Sequence, residues 1–199
     1  IFILVPLGMI FYYGFTNEAG SFTLHNIAYI IQPAYFKSLL LAFELGIVST
    51  LVCFLLAYPL CMILAGMKLD HHEFILTLFI LPMWMNFLLR TLTWMTLLER
   101  KGVLNDILSV LHLPPVYIIN TPAAIVIGMV YNFLPFMILP IYNSLSKIDD
   151  NVINAARDLG ASSFQTFLRV TLPLSVPGII SGIPMVFIPA LTTFAISSM

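Results

Sequence analysis

Long apolar segments constrain the fold of this chain more than any other feature of its sequence. They lie at about residues 1 to 15, 36 to 66, 74 to 98, 122 to 145 and 177 to 199. A helix needs about 20 apolar residues to cross the hydrocarbon core of a bilayer, and an unpaired backbone group in lipid costs several kcal/mol. We therefore predict an all-α fold, a polytopic transmembrane helical bundle with about five spans.

The composition also indicates a membrane protein. Of the 199 residues, 60% are hydrophobic and 9% are charged, and the mean hydropathy is +1.03, whereas a soluble domain carries about a quarter charged residues. The formal net charge of -1 provides no basic face, so we expect lipid and no nucleic acid around the chain. Cys53 and Cys61 share one apolar segment at a spacing that suits neither a zinc site nor a disulfide framework, and we interpret both as small apolar fillers.

The polar stretches between the segments predict the topology. Residues 16 to 32 and 99 to 121 fall on one side of the membrane, and residues 68 to 73 and 146 to 176 fall on the other. Lysine and arginine divide almost evenly between the two sides, so charge alone leaves the orientation open. Both ends of the chain lie within apolar runs, so we expect residues 1–199 to be a fragment of one transmembrane domain with a clipped first span.

A short surface helix is predicted within residues 103 to 113. Val103 and Ile107 share one helical face, whereas Asn105 and Asp106 lie opposite. This pattern is typical of a helix that lies on a membrane surface.

The polar loop at residues 146 to 176 has the sequence signals of a helix, a tight turn and a second helix. Asp150 can cap the first helix, and Gly160 can take the left-handed conformation that closes it. Ser162 can then cap the second helix, with Gln165 completing a capping box. We expect an amphipathic element at the membrane surface.

The second helix of this loop carries an apolar stripe, which consists of Phe164, Phe167, Leu168 and Leu172. The stripe predicts that this helix packs against the bundle. We expect Pro173 and Pro177 to end it before the last span, because a proline inside a helix removes a hydrogen bond.

The first helix of the loop presents small side chains, which let another surface approach its backbone. The sequence Ala155-Ala156-Arg157-Asp158-Leu159-Gly160-Ala161, followed by Phe167, Val170, Leu172 and Pro173, closely resembles the EAA loop of ABC importer permeases. In that family the loop is a cytoplasmic coupling helix that sits in a groove of the ATP-binding subunit. The resemblance implies the same orientation and the same contact for this loop.

The resemblance assigns the coupling contact to Asn154, Ala155, Ala156, Asp158, Gly160, Ala161, Phe167 and Pro173. One position departs from the family pattern, since Asn154 stands where the motif opens with glutamate. An amide at this position can form a hydrogen bond but no ion pair.

Three further motifs extend the resemblance along nearly the whole chain. They are Leu81-Pro82-Met83-Trp84-Met85-Asn86 with Arg90-Thr91, Tyr131-Asn132-Phe133-Leu134-Pro135-Phe136, and Pro189-Ala190-Leu191. Together they look like the spermidine/putrescine permease family, in which the permease has six spans, so the resemblance implies that one span is missing after residue 199. Because other permeases share these motifs in part, an iron or sulfate permease is the alternative.

The same resemblance implies the partners and the location of the chain. They are a bacterial cell membrane, a second permease subunit, a dimer of ATP-binding subunits and an extracytoplasmic substrate-binding protein. The implied mechanism is alternating access, driven by ATP binding and hydrolysis in the partner.

Polar and aromatic residues within the apolar segments are candidates for the substrate path. They are Glu44, Trp84, Asn86, Arg90, Tyr131 and Asn132. A carboxylate on the path would attract a polyamine cation, and aromatic faces bind ammonium groups. The competing interpretation is structural, with Glu44 near the headgroups, Arg90 holding a helix end or forming a gate, and the aromatic rings as packing and interfacial anchors.

The sequence contains no GxxxxGK[ST] phosphate loop, so we expect a partner subunit to hydrolyse ATP and this chain to bind no cofactor or metal. It also lacks the HExxH, paired-histidine and serine-histidine patterns of a membrane-embedded enzyme. A secondary transporter is a closer alternative. A secondary transporter would need sites for a coupling ion within the spans, and Glu44 is the one carboxylate that we find as a candidate for such a site.

Overall fold

The chain is helical in the part that the structure describes. The computed structural model describes residues 4–17, 20–24, 32–67, 72–99, 102–112, 114–115 and 121–197. Within these ranges the regular structure consists of helices and one isolated antiparallel bridge between Thr16 and Phe22. The predicted all-α fold is confirmed.

The helices follow one another along the chain with short connections. They are α1 (Leu4–Phe15), α2 (Pro33–Gly66), α3 (His72–Ile80), α4 (Phe87–Leu98), α5 (Val103–Val110), α6 (Pro122–Leu145), α7 (Asp150–Asp158), α8 (Ser163–Thr166) and α9 (Leu172–Ser197). A 3-10 turn at Leu81–Trp84 joins α3 to α4, and a wide π-helical turn at Phe167–Thr171 joins α8 to α9.

Among the described residues, three helices are long and apolar enough to cross a membrane. They are Tyr35–Gly66, Pro122–Leu145 and Ser163–Thr193. The first predicted segment forms α1, which has 12 residues. The third is helical but broken between α3 and α4 at a turn that contains Pro82, where no backbone N–H is available to continue the helix.

The three long helices pack against one another and form the core. The face of α2 that meets α6 is built from small residues, which let the two backbones approach closely. The Cys53 Sγ lies 3.8 Å from the carbonyl oxygen of Val130, and the Cys61 Sγ lies 3.4 Å from that of Ile138. Both cysteines are buried and unbridged, as the filler interpretation predicts.

Glycine lets α9 approach α6 closely. A Cβ atom added to Gly178 would lie 2.5 Å from the carbonyl oxygen of Pro140 and 2.6 Å from the Cβ of Ser144. One turn further on, a Cβ at Gly182 would lie 2.8 Å from the Met137 Sδ. No larger residue fits at Gly178 without separating the two helices.

The prediction that Pro173 and Pro177 end the second loop helix is wrong, because both prolines lie inside one continuous helical stretch. The wide turn explains how this stretch passes Pro173. In this turn the Leu172 N–H donates to the carbonyl of Phe167, five residues back, so the hydrogen-bond register has already shifted where the proline lacks a donor. Within lipid, continuing the helix is also the only way to keep most backbone groups paired.

The predicted surface helix is present as α5 (Val103–Val110). Val103 and Ile107 are exposed, whereas Asn105 is buried and its Nδ2 donates to the carbonyl of Glu99 at 3.1 Å. The polar face of this helix therefore holds it to the end of α4. Of the predicted turn at residues 68 to 73, positions 68–71 lie outside the described residues, as do Arg100 and Lys101.

Candidate functional site

The loop between α6 and α9 begins with a capped helix, α7. The Asp149 Oδ1 accepts a hydrogen bond from the Asn151 N–H at 2.9 Å, so Asp149 is the N-cap. The prediction that Asp150 caps this helix is wrong by one residue, because Asp150 already has helical geometry and Asp149 has the extended backbone that a cap requires.

A glycine turn closes α7 as the sequence predicts. Gly160 has φ +83, and its N–H donates to the carbonyl of Arg157 at 2.8 Å. The Ala161 N–H reaches back to the carbonyl of Ala156 at 3.1 Å. This pair of bonds is the Schellman motif, which satisfies carbonyls at a helix end and requires a left-handed residue at the glycine position.

The predicted capping box follows the turn directly. The Gln165 N–H donates to the Ser162 Oγ at 3.3 Å, and the Ser162 N–H donates to the Gln165 Oε1 at 2.9 Å. Two helix ends are thus closed by local hydrogen bonds within a few residues. The loop has a defined shape that its own sequence specifies.

The outer surface of the loop carries small residues and two large apolar side chains. Asn154, Ala155 and Asp158 are exposed and Ala156 is half-buried. Leu159 is 90% exposed and Phe164 is 69% exposed. Both side chains therefore lie outside the core that this chain forms.

Leu159 was not assigned to the coupling set in the sequence analysis, although it lies next to Gly160. It also lies outside the apolar stripe of the second helix, so the periodic pattern did not indicate its exposure. Phe164 was assigned to that stripe, but the structure places it largely in the open, whereas Phe167 is half-buried and packs against the core.

The inner side of the loop faces the ends of α2 and α6 across a cleft of about 560 Å³. Gly66 at the end of α2, Leu145 at the end of α6 and Arg157 of α7 all line this cleft. The end of α2 and the loop therefore lie at the same end of the bundle, as the topology prediction requires. Pro173, the last residue of the assigned coupling set, is exposed at the start of α9.

The substrate-path candidates lie on several elements. Glu44 is exposed on α2, beside the buried residues Ala42 and Leu45. Its side chain lies outside the core that this single chain forms.

Three candidates lie at the break between α3 and α4. Trp84 is 86% exposed, and Asn86 is also exposed. Arg90 is half-buried, and its backbone N–H donates to the Asn86 carbonyl at 3.1 Å, which begins α4. The break thus leaves the Trp84 ring and the Asn86 side chain exposed, and Arg90 follows one helical turn further on.

The last two candidates lie on α6. The ring of Tyr131 meets the ring of Trp94 on α4 edge-on, with centroids 5.0 Å apart. Asn132 is half-buried, and its Oδ1 is buried without a hydrogen-bond partner among the residues that the structure describes. Trp94 was not among the predicted site residues, because its distance from Tyr131 in sequence gives no signal of the contact.

These features define a polytopic helical membrane protein with an ordered loop at one end of its bundle. Residues 1–199 match the sequence model of the binding-protein-dependent transport system inner membrane component family. The chain belongs to this family and is an inner-membrane transport component, which confirms the permease prediction.

Several curated relatives carry a more specific name. The chain is 39% identical to the spermidine/putrescine transport system permease protein PotB of Escherichia coli (strain K12), over 100% of this chain and 75% of the relative. It is 35% identical to the protein of that name from Haemophilus influenzae, over 100% of this chain and 72% of the relative. A PotB homolog of Mycoplasma genitalium is 30% identical, over 99% of this chain and 68% of the relative.

Solved structures with the same fold are bacterial ABC transporters. A transporter involved in the import of the acidic polysaccharide alginate superimposes with a TM-score of 0.73 and 19% identity, over 100% of this chain and 76% of that chain. An alginate transporter in complex with its periplasmic protein gives a TM-score of 0.72 and 19% identity, over 90% of this chain and 63% of that chain. At this identity the similarity establishes the fold alone.

Proposed function

We propose that this chain is a permease subunit of an ATP-driven importer of polyamines such as spermidine and putrescine, and that residues 146–176 are its cytoplasmic coupling loop. The observation that carries the proposal is the loop itself, with two capped helix ends and the exposed side chains of Leu159 and Phe164. ATP is hydrolysed by a dimer of separate ATP-binding subunits, since this sequence contains no phosphate loop. A second permease subunit and an extracytoplasmic binding protein complete the importer.

The exposed face of α7 suits a contact that transmits force. The side chains of Ala155 and Ala156 are short, so a groove in the partner can approach the backbone of α7 closely. The exposed Leu159 side chain then fills a pocket at the end of that groove. Asn154 supplies hydrogen-bonding groups without a charge. When ATP binding closes the partner dimer, the loop moves as one body because its turns are internally hydrogen-bonded.

Polyamine as the substrate is supported by the names of the relatives and by the chemistry of α6. An ammonium group needs hydrogen-bond acceptors and aromatic faces when it leaves water. The unpartnered Asn132 Oδ1 is such an acceptor, and the Tyr131 and Trp94 rings lie at the neighbouring position. Glu44, Trp84, Asn86 and Arg90 stay candidates for the remainder of the path.

Docking is tested with Leu159→Asp, which replaces the exposed apolar tip by a carboxylate. We expect the variant to insert in the membrane normally and to lose most of the ATP-binding subunit on co-purification. The matched control is Val110→Asp on α5, where an equally apolar residue is 76% exposed in the polar stretch predicted on the opposite side of the membrane. Equal retention of the ATP-binding subunit by both variants contradicts the docking role.

The substrate is tested by uptake of labelled spermidine into cells that depend on this importer. We expect unlabelled putrescine and spermidine to compete, and ferric iron and sulfate to have no effect. Competition by iron or sulfate in place of polyamines would identify the alternative substrate class.

A further inference from the structure

Tyr58 on α2 is buried and contacts the last span at two points. Its side chain is 6% exposed. Its hydroxyl oxygen lies 2.9 Å from the Ser175 Oγ, and its ring meets that of Phe167 edge-on with centroids 5.9 Å apart. Phe167 is the first residue of the wide turn, and Ser175 follows Pro173 by two residues. Tyr58 therefore contacts both ends of the segment in which the coupling loop continues into α9.

The direction of the hydrogen bond follows from the proton count. The Ser175 Oγ donates its only hydrogen to the carbonyl of Leu172 at 2.8 Å. The Tyr58 O–H must then be the donor to Ser175. Ser175 is fully buried, so no solvent replaces this donor if the tyrosine hydroxyl is lost.

The contact joins the two helices at points where each is interrupted. In α2, Pro59 follows Tyr58 directly and removes one N–H from the helical ladder. In the last span, the wide turn at Phe167–Thr171 precedes Ser175. Prolines and wide turns are the usual sites at which helices bend, so both partners of the contact sit next to a bending point.

We propose that Tyr58 and Ser175 form a latch that passes displacement of the coupling loop to α2, and that this hydrogen bond sets how many substrate molecules are moved per ATP. The proposal rests on the proposed function of the loop. A short directional bond resists sliding, whereas the edge-on contact between the Tyr58 and Phe167 rings tolerates it. Because α2 also packs along α6 through Cys61, displacement that enters at Tyr58 reaches the whole core.

The test uses the complete importer in liposomes, with spermidine uptake and phosphate release measured on the same sample. Tyr58→Phe keeps the ring contact with Phe167 and removes the donor. We expect this variant to assemble normally and to move about fivefold fewer spermidine molecules per ATP, since a net hydrogen bond corresponds to about that factor. Ser175→Ala should have a similar effect, and the double variant should be no worse than the more affected single variant.

Ser181→Ala is the matched control. The Ser181 hydroxyl bonds only locally, to the Pro177 carbonyl at 2.8 Å on an exposed face of the same helix. We expect this variant to keep the wild-type ratio.

Three results would overturn the latch: a wild-type ratio in Tyr58→Phe, additive losses in the double variant, or loss of the assembled complex in step with the lost transport. The last of these would show a purely structural contact. If the wild-type importer couples ATP to uptake and Tyr58→Phe behaves identically, the latch proposal is wrong and the proposed function is unaffected. If the wild-type importer shows no ATP-driven spermidine uptake, both the latch proposal and the proposed function are wrong.

Discussion

At the scale of single residues, the coupling loop depends on a glycine that its sequence already reveals. Gly160 has a positive φ of +83 and closes α7 with a Schellman pair of hydrogen bonds. The combination of a helix-length polar segment, a glycine and a Ser-x-x-Gln pattern predicted this turn correctly. Leu159, Tyr58 and Trp94 were not among the predicted site residues, because neither exposure nor contact with residues far along the chain is visible in the local sequence.

Gly160→Val tests the left-handed turn. A β-branched residue with positive φ costs about 1–2 kcal/mol, and no space restriction accompanies it here because nothing lies within 4 Å of a Cβ at this position. We expect the purified variant to bind the ATP-binding subunit roughly tenfold more weakly, since about 1.4 kcal/mol is a factor of ten. Binding is measured by titration of the partner onto the permease in detergent.

Gly128→Ala provides the control for a glycine substitution as such. Gly128 lies within α6 without a positive φ, and a Cβ atom added there also meets nothing within 4 Å, so the alanine variant should bind the partner like wild type. An unchanged affinity in Gly160→Val would show that the turn does not shape the docking surface.

At the scale of elements, helix content followed from hydropathy but helix ends and breaks did not. The apolar segments predicted helices correctly. The helix end predicted at Pro173 and Pro177 was wrong, because the sequence pattern does not indicate the wide turn that precedes them. The break at Leu81–Trp84 leaves no mark in the hydropathy of the third segment, but Pro82 is a residue that favours an interruption at this point.

Ser162→Ala tests the second capped end. Removing an N-cap hydroxyl costs about 1 kcal/mol, because here the Gln165 N–H loses the Ser162 Oγ as its acceptor. We expect local opening of α8, measured as faster amide hydrogen exchange at residues 163–167, with little change in the exchange of α6. In Ser146→Ala, whose hydroxyl only bonds the Asn143 carbonyl at the end of α6, exchange at residues 163–167 should match wild type. Equal exchange in the Ser162 variant and wild type would contradict the role of the capping box.

At the scale of the whole molecule, the structure shows which end of the helical bundle carries the loop. That this end faces the cytoplasm is part of the proposed function. Gly66, Leu145 and Arg157 line one cleft, so the loop and the end of α2 share a side. The sequence predicted this arrangement from the alternation of apolar and polar stretches. The sequence did not predict how α2, α6 and α9 pack, because that packing depends on which small residues face each other.

Orientation is tested by labelling single introduced cysteines from each side of the membrane. Asp158→Cys in the loop should react with an impermeant maleimide only from the cytoplasmic side, and Ile107→Cys on α5 only from the other. Both native cysteines are buried, so their background should be low. Labelling of both introduced cysteines from the same side would contradict the proposed topology.

The most direct test of the central claim is the energy source of transport. The importer is reconstituted into liposomes with its ATP-binding subunits, its second permease subunit and its binding protein, and labelled spermidine uptake is followed with either enclosed ATP or an imposed ion gradient. We predict uptake that requires ATP and falls to background with Leu159→Asp, while Val110→Asp retains it. Uptake driven by the ion gradient without ATP, or full ATP-driven uptake in Leu159→Asp, would contradict the account.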